Sequence, residues 1–175
     1  MLRAETPAVR QEAEFSLELK GVPLGESCWQ AGFSEAGLAH FTILTRSTTA
    51  QFAALSARSE KRLKDLKKRL AARLRGEAAD YAWDELDVAG RGKFHRSIWR
   101  AMHAIPFGKT QTYGEIAEAA GSPMAFRACG QACGANPIVI FIPCHRVVAA
   151  SGIGGFASGL ALKRTLLGLE KVEVS

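Results

Sequence analysis

The feature that most restricts how this chain can fold is a run of five apolar residues, Ile138-Val139-Ile140-Phe141-Ile142, fenced by Pro137 and Pro143. A proline at each end blocks helical continuation, and the β-branched residues favour extended backbone. The run therefore reads as a short buried strand that delivers Pro143-Cys144-His145-Arg146-Val147 to the place where it ends. It is also the longest apolar stretch in the sequence. A membrane-spanning helix needs about 20 such residues, so none is expected.

The rest of the chain has the makeup of a folded protein. Apolar residues are 47% of 175 and charged residues 23%, enough apolar surface to offset the entropy of ordering the chain. Met1–Arg10 is charged and lacks an apolar core, so no secretory signal is expected there. Cys28, Cys129, Cys133 and Cys144 are too few for a disulfide framework at this length, which suits a reducing cytoplasm. The charge is unevenly placed. Residues 1–90 carry 13 basic and 13 acidic side chains, and residues 91–175 carry 10 and 4. The whole formal net charge of +6 thus lies in the second part. A neutral scaffold domain, 1–90, joined to a basic module, 91–175, is the expected organisation. The default partner of such a module is DNA or RNA.

Periodicity supports an α+β fold. Alternating Phe15, Leu17, Leu19 against Ser16, Glu18, Lys20 predicts a half-buried strand over 13–20. A turn follows at 21–25. Strands are expected at 28–33 and 38–44, joined by Glu35-Ala36-Gly37. A long helix is expected over about 52–75, with Leu63, Leu66, Leu70 and Leu74 on its buried face and Lys61, Arg62, Lys64, Lys68 and Arg75 solvated on the other. The segment 76–92 is polar and acidic, and its close is taken as the domain boundary. Beyond it, Phe94, Ile98, Trp99, Met102 and Ile105 form a helical stripe ended by Pro106-Phe107-Gly108. Thr112-Tyr113-Gly114-Glu115 matches a capping box, so a helix starts there and stops at Gly121. Ser122 with Pro123 predicts the cap and first turn of another helix reaching about Gly134. The pair is a helix-turn-helix candidate, with a plain αα-hairpin as the alternative. Its second member is made of small residues, with Arg127 its one charge. By composition this favours tight packing, although a narrow groove would suit it too.

The chemistry concentrates at Cys144. A thiol beside an imidazole and a guanidinium fits a low-pKa site, because positive neighbours stabilise thiolate. Inert burial and metal ligation are the alternatives. Zinc is disfavoured, since no CxxC or HxxxH spacing accompanies the dipeptide. Cys129 and Cys133 are expected to fill the core.

The string Pro143-Cys144-His145-Arg146-Val147, preceded by Asn136-Pro137 and followed by a glycine-rich loop and Leu166-Leu167-Gly168-Leu169-Glu170, resembles the O6-alkylguanine-DNA alkyltransferases (methylated-DNA–protein-cysteine methyltransferases). Ile105-Pro106-Phe107-Gly108-Lys109-Thr110 and Thr112-Tyr113-Gly114-Glu115-Ile116-Ala117 extend the resemblance over about 94–170. It implies an RNase H-like N-terminal domain and a winged-helix-like C-terminal domain with a helix-turn-helix. It implies repair of O6-alkylguanine, and of O4-alkylthymine, in double-stranded DNA, with the base flipped out because its alkyl group is out of reach in the stack. Cys144 would take the alkyl group once and for all. His145 would accept the thiol proton through a water, Glu170 would orient His145, and Asn136 would hold the turn before the active-site strand. Tyr113 would donate to the flipped guanine and crowd its phosphate, and Arg127 would fill the vacated stack. Ser122, Phe156 and Ser158 would contact DNA or line the base pocket. The small-residue helix would then be a minor-groove reader with little sequence preference.

The resemblance also implies no metal, no cofactor and a monomer in the cytoplasm. Cys28 and His40 alone do not make the N-terminal zinc site that some members carry. Two departures stand out. Phe126 occupies a place where members often have a small residue; it is expected to pack inward, with a second wedge as the alternative. The loop 149–159 is one residue short, and Phe156 stands where some members have tyrosine. Competing readings are a non-catalytic lesion sensor, against which Cys144 itself argues, and a helix-turn-helix regulator with a preferred DNA sequence.

Overall fold

The computed structural model describes residues 13–18, 28–44 and 57–173. Strands β1 (Ala13–Glu18), β2 (Cys28–Phe33) and β3 (Leu38–Leu44) form an antiparallel sheet in that order. The expected bounds of β2 and β3 are those observed. The expected turn at 21–25, the end of the first strand and the start of the first helix lie outside the described residues. Helix α1 (Ala57–Leu74) buries Leu66 and Leu70 and half-buries Leu63 and Leu74. Its basic side chains are not all solvated, because Arg62 donates to the carbonyl oxygens of Ser34 and Glu35 at the β2–β3 turn. The segment after α1 is more than a polar connector. Tyr81, Leu86 and Val88 are buried in the core.

The second part contains α2 (Lys93–His103), β4 (Gln111–Thr112), α3 (Tyr113–Ala119), α4 (Phe126–Gly134), β5 (Val147–Val148) and α5 (Leu160–Leu169). In α2, Ile98, Trp99 and Met102 are buried as the stripe requires, and Trp99 Nε1 donates to the Ala132 carbonyl of α4 at 2.8 Å. Thr112 caps α3, with Glu115 returning the bond to the Thr112 amide. Gly121 ends the helix at φ +73°, a conformation open chiefly to glycine. The cap expected at Ser122 is not there. Ser122 opens a turn closed by the Ala125 amide at 2.9 Å, and α4 begins three residues past Pro123, at Phe126. The short parallel pair β4–β5 had no signal in the sequence.

The apolar run 138–142 is buried throughout but is a tight turn, not a strand. Ile138 and Ile142 are linked by a 2.9 Å backbone bond, and Ile140 sits at φ +76°. That conformation is strained for a β-branched residue. Its place is set by the sheet. The Phe41 amide donates to Pro137 O at 2.8 Å, and the Val139 amide donates to Phe41 O at 2.7 Å. At the other end of β3, Asp87 N donates to Leu38 O at 2.8 Å. The edge of β3 is thereby covered by the chain's own later segments, which removes a pairing hazard. Packing follows the same path. Trp29 stacks on Phe41 at 5.0 Å, Phe41 meets Phe141 at 5.5 Å, and Tyr81 meets Phe141 edge-on at 4.9 Å. The sheet therefore anchors the turn that leads to Cys144.

Candidate active site

Directly after the turn, Cys144–Arg146 form one turn of 3-10 helix that runs into β5. Cys144 is 6% exposed and reaches a cavity of about 210 Å3 between α3, α4 and the loop before α5. Tyr113, Gly130, Cys133, Asn136, Phe156 and Ser158 line it with Cys144. Small residues on α4 let the helix backbone form one wall. On the facing side, Gly154 at φ +70° lets the loop pass Tyr113, where an added Cβ would stand 3.1 Å from the ring. Tyr113 donates its hydroxyl to Gly155 O at 3.3 Å.

Asn136 closes the strained turn from inside. Its Oδ1 accepts from Ile138 N at 3.0 Å, and its Nδ2 donates to Ile142 O at 2.7 Å and to Cys144 Sγ at 3.2 Å. One buried amide thus fixes the turn and touches the sulfur.

Behind Cys144 lies a buried charge network centred on Glu170, the residue that ends α5. Oε1 accepts from His145 Nε2 at 2.9 Å, Arg73 Nη2 at 2.8 Å and Arg146 Nη2 at 3.0 Å. Oε2 accepts from Arg146 Nε at 2.9 Å and Gly108 N at 3.1 Å. Phe107 lies 4.9 Å from the Arg73 guanidinium and 5.6 Å from that of Arg146, in the range of cation–π attraction. A carboxylate only accepts, so His145 Nε2 carries the hydrogen of the neutral ring. That leaves Nδ1 as the basic nitrogen, and among the described residues it has no hydrogen-bond partner.

The proton affinities follow from this layout. Burial pushes the Cys144 thiol up, opposed by the Asn136 bond and the Lys163 charge. Burial pushes the His145 imidazole down, against its bond to Glu170. Burial also works against ionised Glu170, but the bonds from His145 and Arg146 outweigh it and hold the carboxyl at about 2. Cys144 and His145 therefore rest as neutral thiol and neutral imidazole. This corrects the expectation of a thiol depressed by two positive neighbours. Arg146 commits all three guanidinium nitrogens to Glu170 and to Ile105 O, and none to sulfur.

Two further placements differ from expectation. Phe126 does not pack inward; half of it is exposed, beside exposed Arg127 at the start of α4. Cys129 is buried, but Cys133 is only half-buried and lines the cavity instead of filling the core. Ser122 stays in the turn ahead of α4, away from the residues that line the cavity. Two residues of the site escaped the sequence reading. Arg73 comes from α1, 97 positions before Glu170. Lys163 is fully buried, and its Nζ donates to Val147 O at 2.5 Å and Gly155 O at 3.0 Å, tying β5 to the cavity loop. Its signal was present: positions 163, 166, 167 and 170 share one face of α5, so a lysine stood on an apolar stripe. Among the described residues no cluster of three His, Cys, Asp or Glu could hold a metal ion, and no helix is long and apolar enough to cross a membrane.

A buried cysteine at a cavity walled by a helix of small residues, followed in the chain by a histidine bonded to a buried glutamate, defines a class of proteins in which a thiol faces a pocket able to take a small group. Comparison with known proteins narrows it. A family model described as the 6-O-methylguanine DNA methyltransferase DNA-binding domain matches residues 93–172. A methylated-DNA–protein-cysteine methyltransferase of Methanosarcina barkeri is 39% identical over 140 residues, 79% of this chain and 87% of that protein. One from Mycolicibacterium paratuberculosis is 54% identical over 88 residues, 50% of this chain, and there the match spans about half the relative's length, 53%. Among solved structures, Mycobacterium tuberculosis OGT in complex with DNA superposes with a TM-score of 0.73 at 34% identity, covering 90% of this chain and 92% of that one. The chain belongs to the methylated-DNA–protein-cysteine methyltransferase family.

Proposed function

We propose that this protein repairs O6-alkylguanine in double-stranded DNA by moving the alkyl group directly to Cys144 Sγ, one group per molecule. The observation that carries this reading is the position of Cys144, its sulfur at a base-sized cavity and its neighbouring imidazole held by Glu170 with Nδ1 free. The thiol proton passes through a water to His145 Nδ1, and Nε2–H stays on Glu170. The thiolate attacks the alkyl carbon. An S–C bond forms, the C–O6 bond breaks, and guanine leaves with that electron pair and takes up a proton. The base-plus-orienter arrangement is that of other activated nucleophiles. The thioether is stable, so the protein is consumed.

In this reading the lesion enters the cavity after flipping out of the duplex. Tyr113 donates to the guanine and crowds its phosphate, while Arg127 occupies the vacated stack. Asn136 holds the turn, Phe156 and Ser158 flank the base, and Ser122 meets the DNA backbone. A scaffold of 1–90 and an acting domain of 91–175, RNase H-like and winged-helix-like respectively, belong to the same reading. So do action on O4-alkylthymine and work as a cytoplasmic monomer.

Incubation with duplex DNA bearing O6-methylguanine, followed by intact-mass and peptide analysis, tests it. The expected result is a gain of one methyl group on Cys144 and none in Cys144→Ser. Persistent lesion binding with no mass gain would instead identify a sensor.

A further inference from the structure

Nearly all large apolar side chains of the described residues are covered. Three are exposed: Met124 at 89%, Phe126 at 50% and Leu160 at 39%. Two of these three stand together where α4 begins, and the exposed Arg127 follows directly. The Arg127 guanidinium lies 5.9 Å from the Phe126 ring centroid, close enough for the ring to hold it in place. Farther along the same helix, Gly130, Cys133 and Gly134 line the cavity over Cys144. Phe126 and a cation are therefore mounted on the helix that forms one wall of the site, with Met124 in the turn just before it.

Water gives this arrangement no return, since exposed phenyl and thioether groups gain nothing from it. A base step does. Apolar side chains inserted between bases unstack them and kink the duplex, and the kink brings more protein surface into contact. The basic charge of residues 91–175 suits the same partner. We propose that Phe126, backed by Met124, is an apolar wedge that enters duplex DNA at the step next to the one Arg127 occupies. It keeps that step open while the alkylated base is in the cavity. The proposal rests on the alkyl-transfer reading above and adds a second, uncharged insertion to it.

The test uses the full chain, duplex DNA with O6-methylguanine flanked by 2-aminopurine, and free O6-benzylguanine. Binding of Cys144→Ser should raise the 2-aminopurine fluorescence as the step opens, and adding Phe126→Ala should remove most of that rise. In the protein with Cys144 intact, Phe126→Ala should slow methyl transfer from duplex by about tenfold, the scale set by losing one base–aromatic stack. Its reaction with free O6-benzylguanine should stay unchanged. Phe126→Trp should keep the duplex rate. Phe126→Lys should not restore it, although it adds a phosphate-binding charge. Three results would each overturn the wedge: an unaltered duplex rate and fluorescence in Phe126→Ala, an equal loss with the free base, or full rescue by lysine. Transfer by wild type together with an unaffected Phe126→Ala removes the wedge alone. A wild-type chain that takes no methyl group removes the alkyl-transfer reading and the wedge with it.

Discussion

His145 stands between two regions built on opposite lines. On one side Glu170 accepts five hydrogen bonds, three on Oε1 and two on Oε2, with two arginines supplying three of them. On the other, Cys144 Sγ has, among the described residues, a single side-chain hydrogen-bond partner, Asn136, and an open cavity. The saturated side holds geometry, and the sparse side leaves the sulfur open to the cavity, as the proposed alkyl transfer requires. The contrast also sets the chemistry. The two guanidiniums neutralise Glu170, and their charges lower the imidazole's proton affinity where Glu170 raises it. The site therefore stores no resting thiolate.

The contrast breaks most visibly at Glu170. Glu170→Gln leaves Arg73 and Arg146 buried against a neutral amide. Loss of one partner from such a buried network costs about 3–5 kcal/mol, and the melting temperature should fall by roughly 10 °C. A second measurement separates charge from packing. The folded-state value of about 2 lies below the ordinary glutamate value near 4.3. Ionised Glu170 therefore stabilises the protein fully above about pH 4.3, and this contribution fades as pH falls through about 2. By that difference it amounts to about 3 kcal/mol. Urea denaturation across this window should lose the corresponding slope in Glu170→Gln. A variant as acid-sensitive as wild type would show that the network carries no such charge term.

On the sparse side, Asn136→Ala should cost about 2–3 kcal/mol. It orphans the buried Ile138 amide and removes the bond to Ile142 O. It also takes away the hydrogen bond that most opposes the upward push on the Cys144 thiol. Reaction of Cys144 with a small disulfide reagent should therefore need higher pH in the variant. An unshifted profile would mean that Asn136 serves the turn alone.

How far this contrast could be read in advance differs between its sides. The cavity side is encoded locally. The Thr112–Glu115 capping box, the small residues of α4 and the Pro143-Cys144-His145 string are short-range patterns, and their elements stand about where they were expected. Ile138–Ile142 reads as a strand and folds as a turn because a five-residue apolar run satisfies either equally. What decides between them is Asn136 and the free edge of β3, neither of which periodicity sees. At Ser122 the cap and proline signals pointed to a real helix, but the turn at Pro123 and Met124 moved its start to Phe126. The charged side is assembled over long range. Nothing near Arg73 marks it as a partner for Glu170, and on a helix of many basic residues it looks like one more solvated cation. Lys163 is legible, being a charge on an apolar stripe of α5.

The finest test sets the two arginines' influence against that of the carboxylate. Arg73→Met removes a cation whose charge lowers the proton affinity of His145. It also leaves Oε1, which accepts from His145 Nε2, Arg73 and Arg146, with two donors in place of three. The loss of stability should be modest, about 1–2 kcal/mol. Glu170 keeps Arg146, and Asp80, the other partner of Arg73, has a side chain 35% exposed and returns to water. With the opposing charge gone, solvent protonates His145 at higher pH, and because only the neutral imidazole can accept the thiol proton, the acid limb of alkyl transfer to Cys144 should shift toward higher pH. Glu170→Gln should shift it toward lower pH, because there the group that raises His145 is lost. Transfer from free O6-benzylguanine, followed against pH in both variants, reads the two displacements without any contribution from DNA. Opposite shifts mean that the network tunes the imidazole as well as holding it. Shifts in the same direction would reduce it to a clamp, and the division between a structural side and a reactive side would then be complete.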